Sequence, residues 1–189
     1  MFVTKRDGTT EKVSFDKVLN RIEKLSTNLS INTVEVAQKV CARIYDGVKT
    51  SELDDLTAKI CSSLIAEHPD YGMLASRITV SNHHKKTSPS FSETVAIMHK
   101  EHVVSTELYE IVMKHMEKFN TYIDYNRDYL FDFFGFKTLE KAYLIRVNNK
   151  IVERPQHMIM RVAIGIHGSD IREVLETYDG ISTKKFIHA

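Results

Sequence analysis

The sequence predicts a mainly α-helical protein with small β-hairpins, an α+β fold. Three observations lead to this fold class. Two short β-type runs, residues 2–4 and 11–13, flank Asp7-Gly8, which is a favoured hairpin turn pair. Apolar residues then recur at three- and four-residue spacing through most of the chain, as in amphipathic helices. A second hairpin is predicted around Asn148-Asn149-Lys150.

Four helices are predicted to follow the first hairpin. Ser14 occupies an N-cap position, and Val13 and Val18 are spaced for a hydrophobic staple across it. The second helix, near residues 33–46, is expected to end at Gly47 because glycine suits the C′ position.

The third and fourth helices are predicted on either side of His68-Pro69. The third opens at Thr50 or Ser51, where Ser51 and Asp54 approximate a capping box with Asp in place of Glu. The proline suits a first helical position, so the fourth helix begins there. Its apolar stripe ends at Lys85, whose stem can pack while its ammonium group reaches outward.

The strongest boundary signal is Thr87-Ser88-Pro89-Ser90. Residues 1–88 are therefore predicted to form one domain, a short β-hairpin capped by a four-helix bundle. Residues 89–189 are predicted to form a second, largely helical region. We find no internal repeat and no low-complexity tract.

The second region is expected to contain further helices and one hairpin. Leu108 to Phe119 are predicted to form a single helix, and Tyr125 to Phe136 an aromatic-rich wedge. The hairpin strands are expected within Tyr143–Val147 and Ile151–Glu153. Two last helices are predicted near 155–167 and 169–179.

Composition limits the possible functions. The 189 residues carry a net charge of +1, which argues against a general nucleic-acid binder because such proteins need a broad basic surface. The amino terminus has no apolar signal segment, and no run approaches membrane-spanning length. We therefore expect a cytoplasmic protein with no nucleic-acid and no membrane partner.

The cysteines and histidines do not predict a metal or disulfide site. Cys41 and Cys61 each lie on the apolar stripe of a predicted helix, which favours buried, reduced thiols. His99 and His102 have a helical spacing, but neither a cysteine nor a carboxylate motif completes a zinc ligand set. We expect no metal site and no covalently bound cofactor.

Six residues near the ends of predicted elements could form an anion site. Lysine and arginine side chains at short range, together with a helix N-terminus, are a common way to hold phosphates. Thr50 and Asp54 share one helix face, and Asp54 would suit a ribose hydroxyl or a base amino group. Taken singly, such residues are more often solvated cations and helix caps. The six are Lys5, Arg6, Lys17, Thr50, Asp54 and Lys85.

Two groups of segments carry a resemblance to a known family. The amino-terminal group is Lys5-Arg6-Asp7-Gly8, Val13 to Lys17, Glu52-Leu53-Asp54, His68-Pro69-Asp70-Tyr71, Val80-Ser81-Asn82 and His84-Lys85. The later group is Phe134 to Glu140 and Glu153 to Met158. The first group resembles the ATP-cone of class I ribonucleotide reductase large subunits of eukaryotic and related viral type. The second resembles the segment that leads into that enzyme's catalytic barrel.

The resemblance implies an allosteric site for ATP or dATP, which Mg²⁺ can accompany. It implies that ATP permits activity and that dATP shuts it down by changing subunit assembly. The implied partners are the remainder of the large subunit, a radical-generating small subunit and further copies of the chain. The implied effector-site residues are Lys5, Arg6, Glu11, Lys12, Val13, Ser14, Phe15, Asp16, Lys17, Thr50, Asp54 and Lys85.

The resemblance also implies which chemistry these residues lack. The family reduces ribonucleoside diphosphates with a cysteine thiyl radical and a redox-active cysteine pair, and Cys41 and Cys61 match none of these. In the family, the chain continues after Phe186-Ile187-His188-Ala189 into the substrate phosphate loop. We therefore expect no catalytic residue here and a chain that is inactive alone, whether truncated or the product of a split gene.

Two other functions remain open from the sequence. One is a nucleotide-gated DNA-binding repressor, but such proteins join an ATP-cone to a zinc ribbon with paired C-x-x-C motifs, which this chain lacks. The other is a stand-alone regulatory or interaction module without catalysis. As an interaction module, the chain would have a degenerate cone and a helical bundle that only docks a partner, so a calorimetric measurement of nucleotide binding separates it from a functional ATP-cone.

Overall fold

The computed structural model describes residues 1–186, which form two compact units. The first unit comprises Met1–Asn82 together with Phe131–Phe136. The second comprises His83–Leu130 together with the chain from Lys137 onward. The domain limits 1–88 and 89–189 stay a prediction. The comparison of Phe186-Ile187-His188-Ala189 with the segment before the family's substrate phosphate loop falls mostly on residues 187–189, which lie outside the described residues.

The predicted fold class is confirmed, since the described chain is mainly helical with small sheets of two and three strands. Its strands are β1 Phe2–Thr4, β2 Thr10–Lys12, β3 Val48–Lys49, β4 Arg146–Val147 and β5 Lys150–Ile151. Its helices are α1 Phe15–Glu23, α2 Thr33–Cys41, α3 Thr50–Ser63, α4 Asp70–His84, α5 Phe91–Lys100, α6 Thr106–Lys114, α7 Met116–Tyr122, α8 Phe133–Ala142, α9 Pro155–His167 and α10 Ile171–Ser182, with a 3-10 helix at Tyr125–Leu130. None of these helices is long and apolar enough to cross a membrane.

The first sheet contains a strand that the sequence did not predict. Its order is β2-β1-β3, with β1 antiparallel to β2 and parallel to β3. Val3 pairs with Val48, and both pack with Ile44 in a small buried cluster. Because β3 runs directly into α3 at Thr50, this pairing places the end of β1 beside the amino-terminal end of α3.

The predicted turn at Asp7-Gly8 is confirmed. Gly8 has φ +85° and donates its N–H to Lys5 O at 3.0 Å. The carboxylate of Asp7 accepts hydrogen bonds from the N–H and the hydroxyl of Thr9, and these bonds lower the pKa of Asp7. The turn thus fixes Lys5 and Arg6 at the start of the loop.

Helices α1 to α4 share one apolar core. Each of its fully buried aliphatic side chains contributes about 1.5–3 kcal/mol relative to an exposed one. Tyr71 of α4 also accepts a hydrogen bond at its hydroxyl from the N–H of Asn32, at 3.3 Å. The buried members include Ile22, Val36, Val40, Ala58, Ile60, Cys61, Leu74, Ala75, Ile78 and Phe133.

Two predictions about α2 were wrong. The helix ends at Cys41, well before Gly47, because the chain must turn back to form β3. Gly47 instead lies in that turn with φ +82° and donates its N–H to Phe2 O at 2.8 Å. Cys61 is fully buried as expected, whereas Cys41 is only partly buried.

The predicted caps of α1 and α3 were only partly right. Ser14 is the N-cap of α1, but its side chain makes no capping hydrogen bond. The capping box of Ser51 and Asp54 is wrong, because the strand residue Lys49 takes the N-cap position of α3. The Asp54 carboxylate accepts hydrogen bonds from arginine side chains instead.

In the second unit, the helix predicted from Leu108 to Phe119 is two helices. α6 ends at Lys114 and α7 begins at Met116, with His115 between them at φ −122° and ψ 24°. Leaving the helical region at this residue lets α7 change direction, and its Phe119 is fully buried with its ring edge-on to Phe91.

The predicted second hairpin is confirmed with shorter strands. β4 and β5 pair through Val147 and Lys150, and Asn148 and Asn149 take φ values of 49° and 62° between them. Two consecutive residues with positive φ are the requirement of a type I′ turn, which asparagine tolerates.

A buried polar network follows the hairpin at the start of α9. Arg161 donates two hydrogen bonds to the fully buried carboxylate of Glu153, at 2.7 and 3.2 Å. His157 is also fully buried, and its Nε2 lies 2.8 Å from the hydroxyl of Tyr125. Burial, and then the charge of Arg154, lower the pKa of His157 to about 3. This imidazole is therefore neutral at physiological pH.

Candidate functional site

A buried carboxylate in the first unit holds two arginines. Arg6 Nη2 donates to Asp54 Oδ2 at 3.2 Å. Arg21 donates from Nε to Oδ1 at 3.1 Å and from Nη2 to Oδ2 at 3.3 Å. The side chain of Asp54 is 9% exposed, against 31% for Arg6 and 28% for Arg21. These three residues, the arginine cluster, carry one negative and two positive charges, which leaves a net charge of +1.

Two residues near the end of α4 add hydrogen bonds to the arginine cluster. Arg6 Nη2 donates to Asn82 Oδ1 at 2.6 Å, and Arg21 Nη2 donates to Ser81 Oγ at 2.9 Å. The amide of Asn82 donates in turn to Ser51 O at 3.1 Å and to Asp55 Oδ1 at 3.0 Å. The network therefore joins the tip of the hairpin, α1, α3 and α4.

A second carboxylate, Glu11 on β2, pairs with two lysines. Its Oε2 lies 2.7 Å from Lys5 Nζ, and its Oε1 pairs with Lys17 Nζ. The lysine side chains are 45% and 65% exposed, so they can reach a ligand in solvent. As in the arginine cluster, two cations share one anion, which again leaves an excess positive charge.

The amino-terminal end of α3 lies next to these cations. Thr50 is the first residue of this 14-residue helix, and the N-cap Lys49 makes no side-chain capping hydrogen bond. The pairing of Thr4 with Lys49 puts the residues that follow them, Lys5 and Thr50, at the same end of the sheet. A helix N-terminus favours anions because its first N–H groups have no intrahelical acceptor. The amino-terminal end of α3 and the residues of the hairpin loop thus lie at the same end of the sheet.

The other predicted site residues lie on neighbouring elements or in the second unit. Lys12 ends β2 and is exposed, as are Phe15 and Asp16 in the first turn of α1. Lys85 belongs to the second unit, where it is exposed one residue beyond α4. Val13 and Ser14 lie between β2 and α1 and are partly buried.

The sequence did not predict Arg21, Ser81 or Asn82 as site residues. The Ser81-Asn82 pair lies in a segment that resembles the cone, but the resemblance gave it no role. Arg21 directly precedes the buried Ile22, so it lies on the flank of the apolar face of α1. A buried carboxylate such as Asp54 needs a cationic partner, but its burial was not predicted from the sequence, so no signal pointed to Arg21.

Comparison with known proteins assigns the chain to a family. The model of the ATP cone domain matches residues 1–86, and that of the ribonucleotide reductase all-alpha domain matches residues 129–189. The ribonucleoside-diphosphate reductase large subunit of Dictyostelium discoideum is 53% identical over this entire chain, which covers 23% of that protein. This chain belongs to the ribonucleotide reductase large-subunit family.

Other reductase large subunits match over the same stretch. The large chain of Schizosaccharomyces pombe is 47% identical and the large subunit of Variola virus 48% identical, each over this entire chain. The chain spans about a quarter of the length of these relatives, at 25% and 26%. The ATP cone match contains both the arginine cluster and the Lys5–Glu11–Lys17 group.

Proposed function

We propose that the first unit binds ATP or dATP as an allosteric effector. The observation that supports this most strongly is the excess positive charge of the arginine cluster beside the amino-terminal end of α3. The partly buried arginine cluster carries a net charge of +1, which favours an anion, and guanidinium groups match phosphate oxygens in geometry. The match of residues 1–86 to the ATP cone domain supports an adenine nucleotide, with its phosphates, as this anion.

In this proposal the phosphates bind Arg6, Lys5 and Lys17, which leave their carboxylate partners in part. The Thr50 hydroxyl and the first N–H groups of α3 supply further donors. Glu11 then separates the two lysines when no nucleotide is bound, which offsets their mutual repulsion. We include Lys85 and residues 12–16 in the proposal because the family resemblance implies them.

We further propose that the chain is the activity-regulating, amino-terminal part of a ribonucleoside-diphosphate reductase. This enzyme converts ribonucleoside diphosphates to deoxyribonucleotides in the cytoplasm. The partners are then the remainder of the large subunit, the radical-generating small subunit and other copies of the chain. Mg²⁺ would be carried by the phosphates, since the described residues contain no cluster of three or more His, Cys, Asp or Glu that could hold a metal.

The two cysteines are poor candidates for the reductase chemistry. Burial raises the pKa of Cys61 to about 12 and also raises that of Cys41, so both thiols are protonated near neutral pH. The chain by itself should therefore form no deoxyribonucleotide. A stand-alone module without catalysis is less well supported, because the relatives that match the entire chain are named as reductase large subunits.

Calorimetric titration of the full 189-residue chain tests nucleotide binding. We expect saturable binding of ATP and dATP at one nucleotide per chain, weaker at higher ionic strength because phosphate contacts are partly electrostatic. Adenosine, which lacks phosphates, and inorganic tripolyphosphate, which lacks the base, should each bind much more weakly. Titrations with and without Mg²⁺ show whether the ion enters with the nucleotide. Absence of binding at millimolar ATP would overturn the proposal.

A further inference from the structure

We infer that Arg21 sets the anion affinity of Arg6 by neutralising Asp54. Arg21 is then a positioning residue for the nucleotide site rather than a phosphate ligand. The inference rests on the proposed nucleotide binding, and it assigns a task to a residue that the sequence resemblance did not include.

The first support is the geometry of the contact. Arg21 reaches both oxygens of Asp54, from Nε and from Nη2, which is the two-bond arrangement that guanidinium and carboxylate groups favour. Arg6 reaches only Oδ2, and the same Nη2 also donates to Asn82. Arg21 therefore makes two of the three described hydrogen bonds from arginine to Asp54, and Arg6 makes one.

The second support is the balance of charge. With Arg21 in place, its positive charge neutralises the carboxylate of Asp54. The positive charge of Arg6 can then attract an anion. Without Arg21, the net charge of the arginine cluster falls from +1 to zero. Asp54 then competes with the phosphates for Arg6, and the competition is strong because the carboxylate is almost fully shielded from water.

The third support is the anchoring of Arg21 itself. Its Nη2 also donates to Ser81 on α4, so the guanidinium is fixed from two helices. A side chain fixed in this way loses little freedom when a ligand binds nearby. Arg21 is thus suited to hold the orientation of Asp54 while Arg6 changes partners.

The test is a double-mutant cycle with the full chain and ATP as the probe. Arg21→Gln should weaken ATP binding about tenfold, which corresponds to about 1.4 kcal/mol. In an Asp54→Asn background, the same change should cost less than about threefold, because no carboxylate charge is left to offset. Arg21→Lys should recover most of the affinity, since it keeps the positive charge.

A matched control separates this role from a general loss of charge or of folding. Arg77 lies in the same unit, is partly buried and donates to the carbonyls of Leu25 and Thr27. Arg77→Gln removes the same charge and should change the affinity for ATP by less than about twofold. The circular dichroism of each variant is recorded so that only folded chains are compared.

The outcomes distinguish the inference from the proposed function. If the unaltered chain does not bind ATP, the proposed function fails and the inference fails with it. If the unaltered chain binds ATP but Arg21→Gln binds equally well, only the inference is wrong. An equal loss in both Asp54 backgrounds would show that Arg21 contacts the nucleotide directly, and it would also overturn the inference.

Discussion

Replacing Arg6 by alanine removes the side chain on which the proposed site depends most. The guanidinium donates to Asp54 Oδ2 at 3.2 Å and to Asn82 Oδ1 at 2.6 Å. Asn82 is 2% exposed, so its carbonyl oxygen loses this donor in a place with little access to water. An unsatisfied buried acceptor costs about 1–3 kcal/mol. Since Arg6 itself is 31% exposed, we expect the lower part of that range, about 1–2 kcal/mol of unfolding free energy.

The effect on nucleotide binding should be larger than the effect on stability. A hydrogen bond to a charged group contributes about 1.5–3 kcal/mol, and each 1.4 kcal/mol is a factor of ten in affinity. Arg6→Ala should therefore weaken ATP binding by about tenfold to about a hundredfold. The dependence of affinity on salt should also become shallower, because one cation no longer meets the phosphates.

Titration calorimetry measures the affinity, and urea unfolding followed by circular dichroism measures the stability. Lys59→Ala is a suitable control because Lys59 is an exposed cation on the same helix as Asp54, and we expect a change in affinity below about twofold. If Arg6→Ala bound ATP as tightly as the unaltered chain, or if Lys59→Ala lost as much, the proposed role of Arg6 would be refuted.

Four further predictions concern both units. Lys85→Ala should weaken ATP binding about tenfold, and equal calorimetric titrations would remove Lys85 from the site. Asp54→Asn should change the ratio of ATP to dATP affinity more than the mean affinity if the carboxylate accepts from the ribose, whereas parallel losses would contradict this contact. Because the folded-state pKa of His157, about 3, lies below the ordinary 6.5, its contribution to stability is present above pH 6.5 and is lost as the pH falls toward 3. Urea titrations should show about 2 kcal/mol lost between pH 7 and pH 5, and less in His157→Gln. A thiol reagent at pH 8 should modify Cys61 only after urea is added, since its pKa is about 12.

The parts of the fold that depend on neighbouring residues could be predicted from the sequence. The turn at Asp7-Gly8 and the Asn148-Asn149 hairpin were predicted because these residue types tolerate positive φ, which Gly8 and both asparagines adopt. Helices α9 and α10 were predicted closely because their apolar residues follow the helical period.

The parts that depend on distant residues could not be predicted in this way. Strand β3 is two residues long and forms only because β1 offers hydrogen-bonding groups to Val48 and Lys49. The break at His115 has no glycine or proline to mark it, and the apolar period continues across it. A local pattern carries no information about such pairings.

In the candidate site, too, features that depend on neighbouring residues could be predicted and those that depend on distant residues could not. The excess of cations near the first hairpin was visible in the sequence, because Lys5, Arg6 and Lys17 lie close together along the chain. The partnership of Arg21 with Asp54 was not visible, since it joins α1 to α3 and neither residue is unusual in its own helix. The effector-site residues implied by the resemblance stay a prediction until nucleotide binding is measured.

The position of β1 in the middle of its sheet has a consequence for synthesis of the protein. The strand leaves the ribosome before both of its partners, and its pairing of Val3 with Val48 cannot form until α1 and α2 have been translated. Until then β1 has an unpaired edge, which is a site for wrong associations between nascent chains. The hairpin with β2 forms from local contacts and can shield the other edge early. Formation of the arginine cluster, which needs Asp54 of α3, should therefore be a late event in folding.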